Sequence, residues 1–297
     1  MSYQDINNVL GKPLRRIETN IEELNWLYGC TPYNGPGGDV WGIPLQKISI
    51  WAAAGGVGKS RLAIHLAKSI AIDGAPDIPQ KVLYFQNEVD IPTFKGWIGD
   101  SRDIPSGMLH VSTDCAVDKQ LEVIKQVNPT IVFVDSIQMI YEFSGASDNK
   151  VRAIINGYKD REGYRDVAKA LDCHIVFLCQ LTKQGEPKGS TMVTHLPDQV
   201  FLLEKLEGFP DRFVFKVGDK NRCGRVGENF TSWWKHLDNG VECESDFRLE
   251  DEKFCKSRNI PMKNIKEEID MMKNEDMDKK KVEKKSNSIL DIFKVIK

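Results

Sequence analysis

Residues 53–60 read Ala-Ala-Gly-Gly-Val-Gly-Lys-Ser, an order of residue types that can wrap an anion. Small residues let consecutive backbone N–H groups curl round phosphate oxygens, and a helix starting near the lysine points its positive end at them. The spacing is that of a nucleotide phosphate loop, with Ala53 where the first glycine usually stands. In this reading Ala53, Ala54, Gly55, Gly56, Val57, Gly58, Lys59, Ser60 and Arg61 contact the nucleotide. Lys59 reaches the β- and γ-phosphates and Ser60 holds Mg²⁺, so ATP and Mg²⁺ are the expected cofactors.

Two carboxylates lie at complementary places. Ile131-Val132-Phe133-Val134 is an apolar strand that ends in Asp135, positioned to orient a Mg²⁺ shell through water. Glu88 follows the strand Val82–Phe85 and is placed to polarise an attacking water, with Asp90 as its competitor for that role.

These residues need a sheet to carry them. Lys47–Ala52 reads as the strand before the loop, and Leu62–Ile70 as the helix after it, by its apolar spacing. Lys81–Phe85, Thr130–Val134 and His174–Cys179 read as buried parallel strands, with helices over Asp118–Val127 and Asp166–Leu171. The alternation predicts an α/β fold with a mostly parallel central sheet flanked by helices. Gln199–Leu203 and Arg212–Val217 are expected to pair at one edge of that sheet. The expected organisation is a polar leader over 1–20, a domain over 21–245, and a charged, partly disordered tail over 246–297.

Composition narrows the classes. The 297 residues are 41% hydrophobic and 28% charged, as in ordinary globular chains, and no apolar run is long enough for a bilayer. Seven scattered cysteines never form C-x-x-C, which argues against a zinc finger and a disulfide framework and for a cytoplasmic setting. Residues 246–297 hold 14 Lys and Arg against 12 Asp and Glu, so the net −2 leaves −4 for the first 245. A broad basic face for nucleic acid is therefore excluded, and any such contact must be local.

Several stretches resemble RecA-like P-loop NTPases, and most closely the RadA (Sms) branch-migration family. They are Arg16–Leu24 before the loop, Val134-Asp135-Ser136-Ile137-Gln138, Gln180–Gly185 with Gly189, His195–Val200, and Lys220-Asn221-Arg222-Cys223-Gly224. The similarity covers about residues 16–230, and the last stretch resembles the family's Lys-Asn-Arg-Phe-Gly signature. The resemblance implies that Glu88 is the catalytic carboxylate and that Gln180 senses the γ-phosphate. It further implies that Lys220 and Arg222 enter a neighbouring subunit's site, in a homo-oligomer formed as a ring of six. From composition alone, those two residues are an exposed basic turn. The chain departs from the family pattern at Ala53, at Gln180 (usually His) and at Cys223 (usually Phe). It reads as the core alone, without the family's four-cysteine zinc module or Lon-like domain.

The resemblance also implies DNA-binding loops. One spans roughly 141–165, with Lys150 and Arg152; the other spans 183–191, with Lys183, Lys188 and Ser190. Single-stranded DNA is the expected partner, held through phosphates with little sequence preference, and solvated surface loops are the alternative. Ile289-Leu290-Asp291-Ile292-Phe293 resembles peptides that dock on sliding clamps, and packing on its own domain is equally open. The function expected is a DNA-dependent ATPase of recombination, repair or replication. A DnaB-like replicative helicase and an ATP-gated loader with little turnover are the rivals.

Overall fold

The computed structural model describes residues 14–31, 40–72, 80–143, 145–182, 185, 192–206, 208–223, 231–237 and 240–243. The described chain begins with β1 (Arg16–Ile17) and α1 (Glu22–Tyr28), then β2 (Cys30–Thr31), β3 (Val40–Trp41) and β4 (Ile43–Pro44). Strand and helix then alternate through β5 (Ile48–Ala53), α2 (Lys59–Ile72), β6 (Val82–Gln86), α3 (Ile91–Ile98), β7 (Leu109–Ser112), α4 (Val117–Val127) and β8 (Ile131–Asp135). Two short 3-10 turns, α5 (Asp148–Asn156) and α6 (Tyr164–Ala170) lead to β9 (His174–Gln180) and α7 (Met192–His195). The described chain closes with β10 (Gln199–Lys205), β11 (Arg212–Asn221), β12 (Thr231–Leu237) and β13 (Gly240–Cys243).

Among the described residues, nine strands form one sheet in the order β13-β12-β11-β10-β5-β9-β8-β6-β7. From β10 to β7 every pairing is parallel, and from β10 to β13 every pairing is antiparallel. β5, β6 and β8 are buried along their whole length, which is why they read as unbroken apolar runs rather than alternating ones. β10 and β11 do pair, as expected, but they are not the edge. β12 and β13 extend the sheet beyond them, and β10 itself lies against β5.

The sheet buries both faces. On one, Ile50, Phe85, Val134 and Phe177 pack against Leu121 and Ile124 of α4, Val151 and Ile154 of α5, and Tyr164 and Val167 of α6. Residues alternating with these carry rings that meet on the other face: Trp51 with Phe133, Tyr84 with Phe133, and Trp51 with Phe215. Truncating one such ring to Ala costs about 3–5 kcal/mol, so the central strands are held firmly in register. No helix among the described residues is long and apolar enough to cross a membrane.

The sequence suggests a loop over 141–165, but most of that segment is helical. Ser147 caps α5 by accepting from the Lys150 N–H at 3.4 Å, and Val151, Ile154 and Ile155 turn inward. Their i, i+3, i+4 spacing is short and set among charged residues, so the helical period is faint in the sequence.

α1 is tied to the sheet by a buried polar chain. Pro44 O can only accept, so His174 Nδ1–H donates to it at 2.6 Å, and Nε2 is left to accept from Ser49 Oγ at 2.8 Å. Ser49 then accepts from Tyr28 Oη at 3.1 Å, which accepts from Trp51 Nε1–H at 2.9 Å. Burial pushes the His174 imidazole down to about 4, keeping it neutral.

Candidate nucleotide site

The parallel strands end together. Ala53 lies opposite Gln180, and Gln86 opposite Asp135, so β5, β9, β8 and β6 deliver their C-terminal residues to one rim. Such a rim is where ligands bind in open α/β sheets. The loop from Ala54 to Gly58 turns there, between the end of β5 and the start of α2. Gly56 at φ +74° and Gly58 at φ +118° occupy backbone that side-chain-bearing residues rarely adopt. A Cβ on Gly55 would stand 2.9 Å from Gln180 Nε2, so the β9 terminus closes on the loop. Leu62 N–H donates to Gly58 O at 2.9 Å and starts the helix, whose first N–H groups have no acceptor within the helix.

Lys59, Ser60, Asp135 and Glu88 form one electrostatic group. Burial lowers the Lys59 pKa, and Asp135 and Glu88 partly restore it. Burial raises Asp135 to about 6; Glu88 adds to the rise, while hydrogen bonds from Ser60 and Tyr84 and the charge of Lys59 oppose it. Tyr84 Oη donates to Asp135 Oδ2 at 2.8 Å. Asp135 Oδ1 is buried with no hydrogen-bond partner, as are Gln86 Nε2, both side-chain polar atoms of Asn87, and Ser136 Oγ. Buried polar atoms without partners are costly, and four residues carrying them at the ends of β6 and β8 mark a place built for water or ligand.

A divalent cation fits this arrangement. Among the described residues no cluster of three His, Cys, Asp or Glu could hold a metal. Mg²⁺, however, needs few protein ligands when phosphate oxygens and waters complete its shell. The Ser60 hydroxyl and the open Oδ1 of Asp135 are the oxygen donors available.

Glu88 stands exposed just past β6, its N–H donating to Gln86 Oε1 at 3.1 Å. Asp90 is engaged elsewhere, because it caps α3 by accepting from the Thr93 N–H at 2.7 Å. Gln180 is held from behind by Gln138, whose Oε1 accepts the Gln180 N–H and whose Nε2 donates to Gln180 O, each at 3.2 Å.

Lys220 and Arg222 are not brought to this rim. Arg222 N–H donates to Asp198 O at 2.9 Å, and the Asp198 carboxylate accepts from Ile48 N–H and from Arg165. Ile48 is the far end of β5, about 17–20 Å from the loop for a strand of this length. Lys220 donates to His195 O, and its pKa is lowered by burial and by Arg222. The turn is stiffened by Asn221, which accepts from Gln199 Nε2 at 2.9 Å and from Cys223 N–H at 3.1 Å. Lys150 and Arg152 are exposed on or beside the outer side of α5. Lys183, Lys188, Ser190 and Ile289–Phe293 lie outside the described residues.

Four contributors are not singled out by the sequence: Tyr84, the Gln86–Asn87 pair, Ser136 and His236. Gln86, Asn87 and Ser136 directly follow or end apolar strands, which is a signal the sequence does carry. His236 Nε2 lies 2.9 Å from Val57 O, a contact across 179 residues that only the folded sheet creates. Beside the loop, a groove of about 300 Å³ runs along α2, with Arg61, His65, Lys68 and Trp97 in its walls.

Comparison with known proteins agrees with this geometry. A family model described as AAA domain matches residues 12–186. The chain is 29% identical over 228 residues to the DNA repair protein RadA of Halalkalibacterium halodurans, covering 76% of this chain and 45% of that one. It is 26% identical over 217 residues to the DNA repair protein RadA of Bacillus subtilis, covering 72% and 42%. Against the DNA repair protein RadA of Helicobacter pylori strain 26695 it is 27% identical over 250 residues, covering 76% and 50%. The chain thus spans about half the length of the curated relatives it matches. Matched over more than half its length and built on the expected mostly parallel sheet, the chain belongs to the AAA domain family, as a RecA-like phosphate-loop member similar to RadA.

Proposed function

We propose that this chain is an ATP-hydrolysing domain whose cycle does work on single-stranded DNA, in recombination or repair. The observation that carries the hydrolytic reading is the open Asp135 Oδ1, buried within the same group as Ser60, Lys59 and Glu88. Lys59 would neutralise the β- and γ-phosphate oxygens, and the turn of N–H groups from Gly55 to Ser60 would cradle them. Mg²⁺ held by Ser60 and, through water, by Asp135 would supply further neutralisation of developing charge. Glu88 would accept the proton of the attacking water. Gln180, whose side-chain amide fills the space beside Gly55, would register the presence of a γ-phosphate. Arg61, directly after Ser60, would add positive charge beside the loop.

The DNA part of the reading is supported by similarity to proteins named for DNA repair and by the exposed Lys150 and Arg152. Action of Lys220 and Arg222 on a neighbouring copy is supported by their distance from their own loop, and a ring is the assembly that closes such contacts. The test is steady-state ATP hydrolysis with and without single-stranded DNA, beside Lys59→Ala. Stimulation that disappears in the variant supports the motor; hydrolysis indifferent to DNA refutes it.

A second reading, an ATP-gated loader with little turnover, is favoured by one feature. Among the described residues, the exposed Glu88 carboxylate accepts no hydrogen bond that would aim it. Nucleotide binding with negligible turnover would select this reading.

A further inference from the structure

His236 lies far from the phosphate loop in sequence, yet its imidazole rests on it. Val57 O can only accept, so the Nε2 at 2.9 Å carries the hydrogen and donates. The ring also occupies the place of a Cβ on Gly58, which would stand 2.2 Å from Cε1 and 2.9 Å from Nε2. Nδ1 is buried without a partner, so the ring's hydrogen bonding runs through Nε2 alone. The histidine is anchored in turn: its N–H donates to Asp211 O at 2.7 Å, and its ring packs on Phe213 with centroids 4.9 Å apart. Next to it, Leu237 O accepts from Arg61 Nη1 at 2.9 Å, so two consecutive residues of β12 grip the loop and the first turn of α2.

In a trans peptide the C=O and N–H lie in one plane and point in opposite directions. Engaging Val57 O therefore decides which way the Gly58 N–H points. The Leu62 N–H bound to Gly58 O does the same for the Lys59 N–H. With both carbonyls occupied, neither peptide can flip and present a carbonyl oxygen to an anion.

We propose that His236 is a positioning residue of the nucleotide site: it presets the Val57–Gly58 peptide so that the Gly58 N–H receives a phosphate oxygen. Gly58 is glycine both for its backbone angle and because the imidazole fills the space of a side chain. The inference rests on the reading of residues 53–61 as an ATP site. Its benefit is preorganisation, since a donor already aimed costs nothing to orient when the ligand arrives.

The test is equilibrium binding of a fluorescent ATP analogue with Mg²⁺ to the full chain. Wild type, Lys59→Ala, His236→Leu and His236→Gln are compared, with the thermal midpoint of each measured without nucleotide. Loss of the donor in His236→Leu is expected to weaken binding about tenfold, and His236→Gln, which keeps an N–H, to stay within about threefold of wild type. If His236→Leu does not fold, His236→Asn, too short to reach Val57, takes its place. In wild type, the ¹⁵N spectrum of the imidazole should show protonated Nε2 and move on nucleotide addition. Unchanged affinity in His236→Leu overturns the assignment. So does an equal loss in the Leu and Gln variants that tracks lost stability, because the ring would then only pack. Wild type that binds no better than Lys59→Ala overturns the nucleotide reading itself, and this inference with it.

Discussion

Gln138 and Gln180 form a closed amide pair: the side chain of one takes both the N–H and the C=O of the other's backbone, each at 3.2 Å. The turn after the Asp135 strand is thereby fastened to the residue whose side-chain amide stands where a Gly55 side chain would be. Any shift of Gln180 that follows a change at the loop must be felt by Gln138, and through it by the segment that continues from Ile140.

Gln138→Ala should therefore separate binding from response. Nucleotide affinity is expected to change less than about threefold, because Gln138 holds the backbone at the end of β9. Stimulation of hydrolysis by DNA is expected to fall about tenfold or more. A parallel loss of affinity in the same titration would show that Gln138 merely supports the loop.

Asp135→Asn should trade activity for stability. Burial holds the Asp135 carboxylate at about 6 in the protein without nucleotide, so its charge is carried at a cost near neutral pH. Removing that charge is expected to stabilise the free protein by about 1–3 kcal/mol while abolishing Mg²⁺-dependent nucleotide binding. Urea unfolding without ligand, beside a Mg²⁺ titration, reads both. A destabilised variant would mean that the Tyr84 hydrogen bond outweighs burial.

His174 predicts the acid limb of stability. Its pKa is about 4 in the fold and 6.5 in the reference state, so between these values the unfolded chain binds the extra proton. Stability is thus fully present above about pH 6.5 and is lost as pH falls through about 4, by up to about 3 kcal/mol. His174→Gln can keep both hydrogen bonds without titrating. Its urea midpoint should decline less than wild type between pH 7 and pH 4.5, and identical declines would clear His174 of the effect.

Arg222→Ala tests action on a neighbour. Alone it is expected to lower ATP hydrolysis about 10³-fold if it meets transition-state charge. Mixing Arg222→Ala with Lys59→Ala should then restore activity, since sites form with an intact loop from one copy and an intact arginine from another. Mixtures no more active than their parts would place Arg222 outside catalysis.

Lys150→Ala and Arg152→Ala should weaken single-stranded DNA binding, each reducing the slope of log affinity against log salt by about 0.7. Fluorescence anisotropy across a salt series checks this, and an unchanged slope would remove α5 from the DNA path.

The central sheet is legible in the sequence because parallel strands buried on both faces leave apolar runs no other element needs, as in Ile131–Val134. The phosphate loop is legible because anion binding restricts residue types at Gly55, Gly56, Gly58 and Lys59. β7 and β13, four residues each, are too short to carry a period. α5 is hidden because its three inward residues sit in a charged stretch that reads as solvated. His236 and Tyr84 escape for a different reason. Each acts on a residue distant in sequence, through a pairing that exists only once the sheet has set its register.

β11 runs ten residues, about 30 Å, from the side of the sheet that carries the phosphate loop to the opposite rim. At one end stands the Lys220–Arg222 turn; at the other, Asp211 carries the backbone of His236 against Val57. Bonded to β10 on one flank and to β12 on the other, that strand is a fixed spacer rather than a lever. The span between the phosphate loop and the Lys220–Arg222 turn is therefore set by the sheet, and no loop has to hold it.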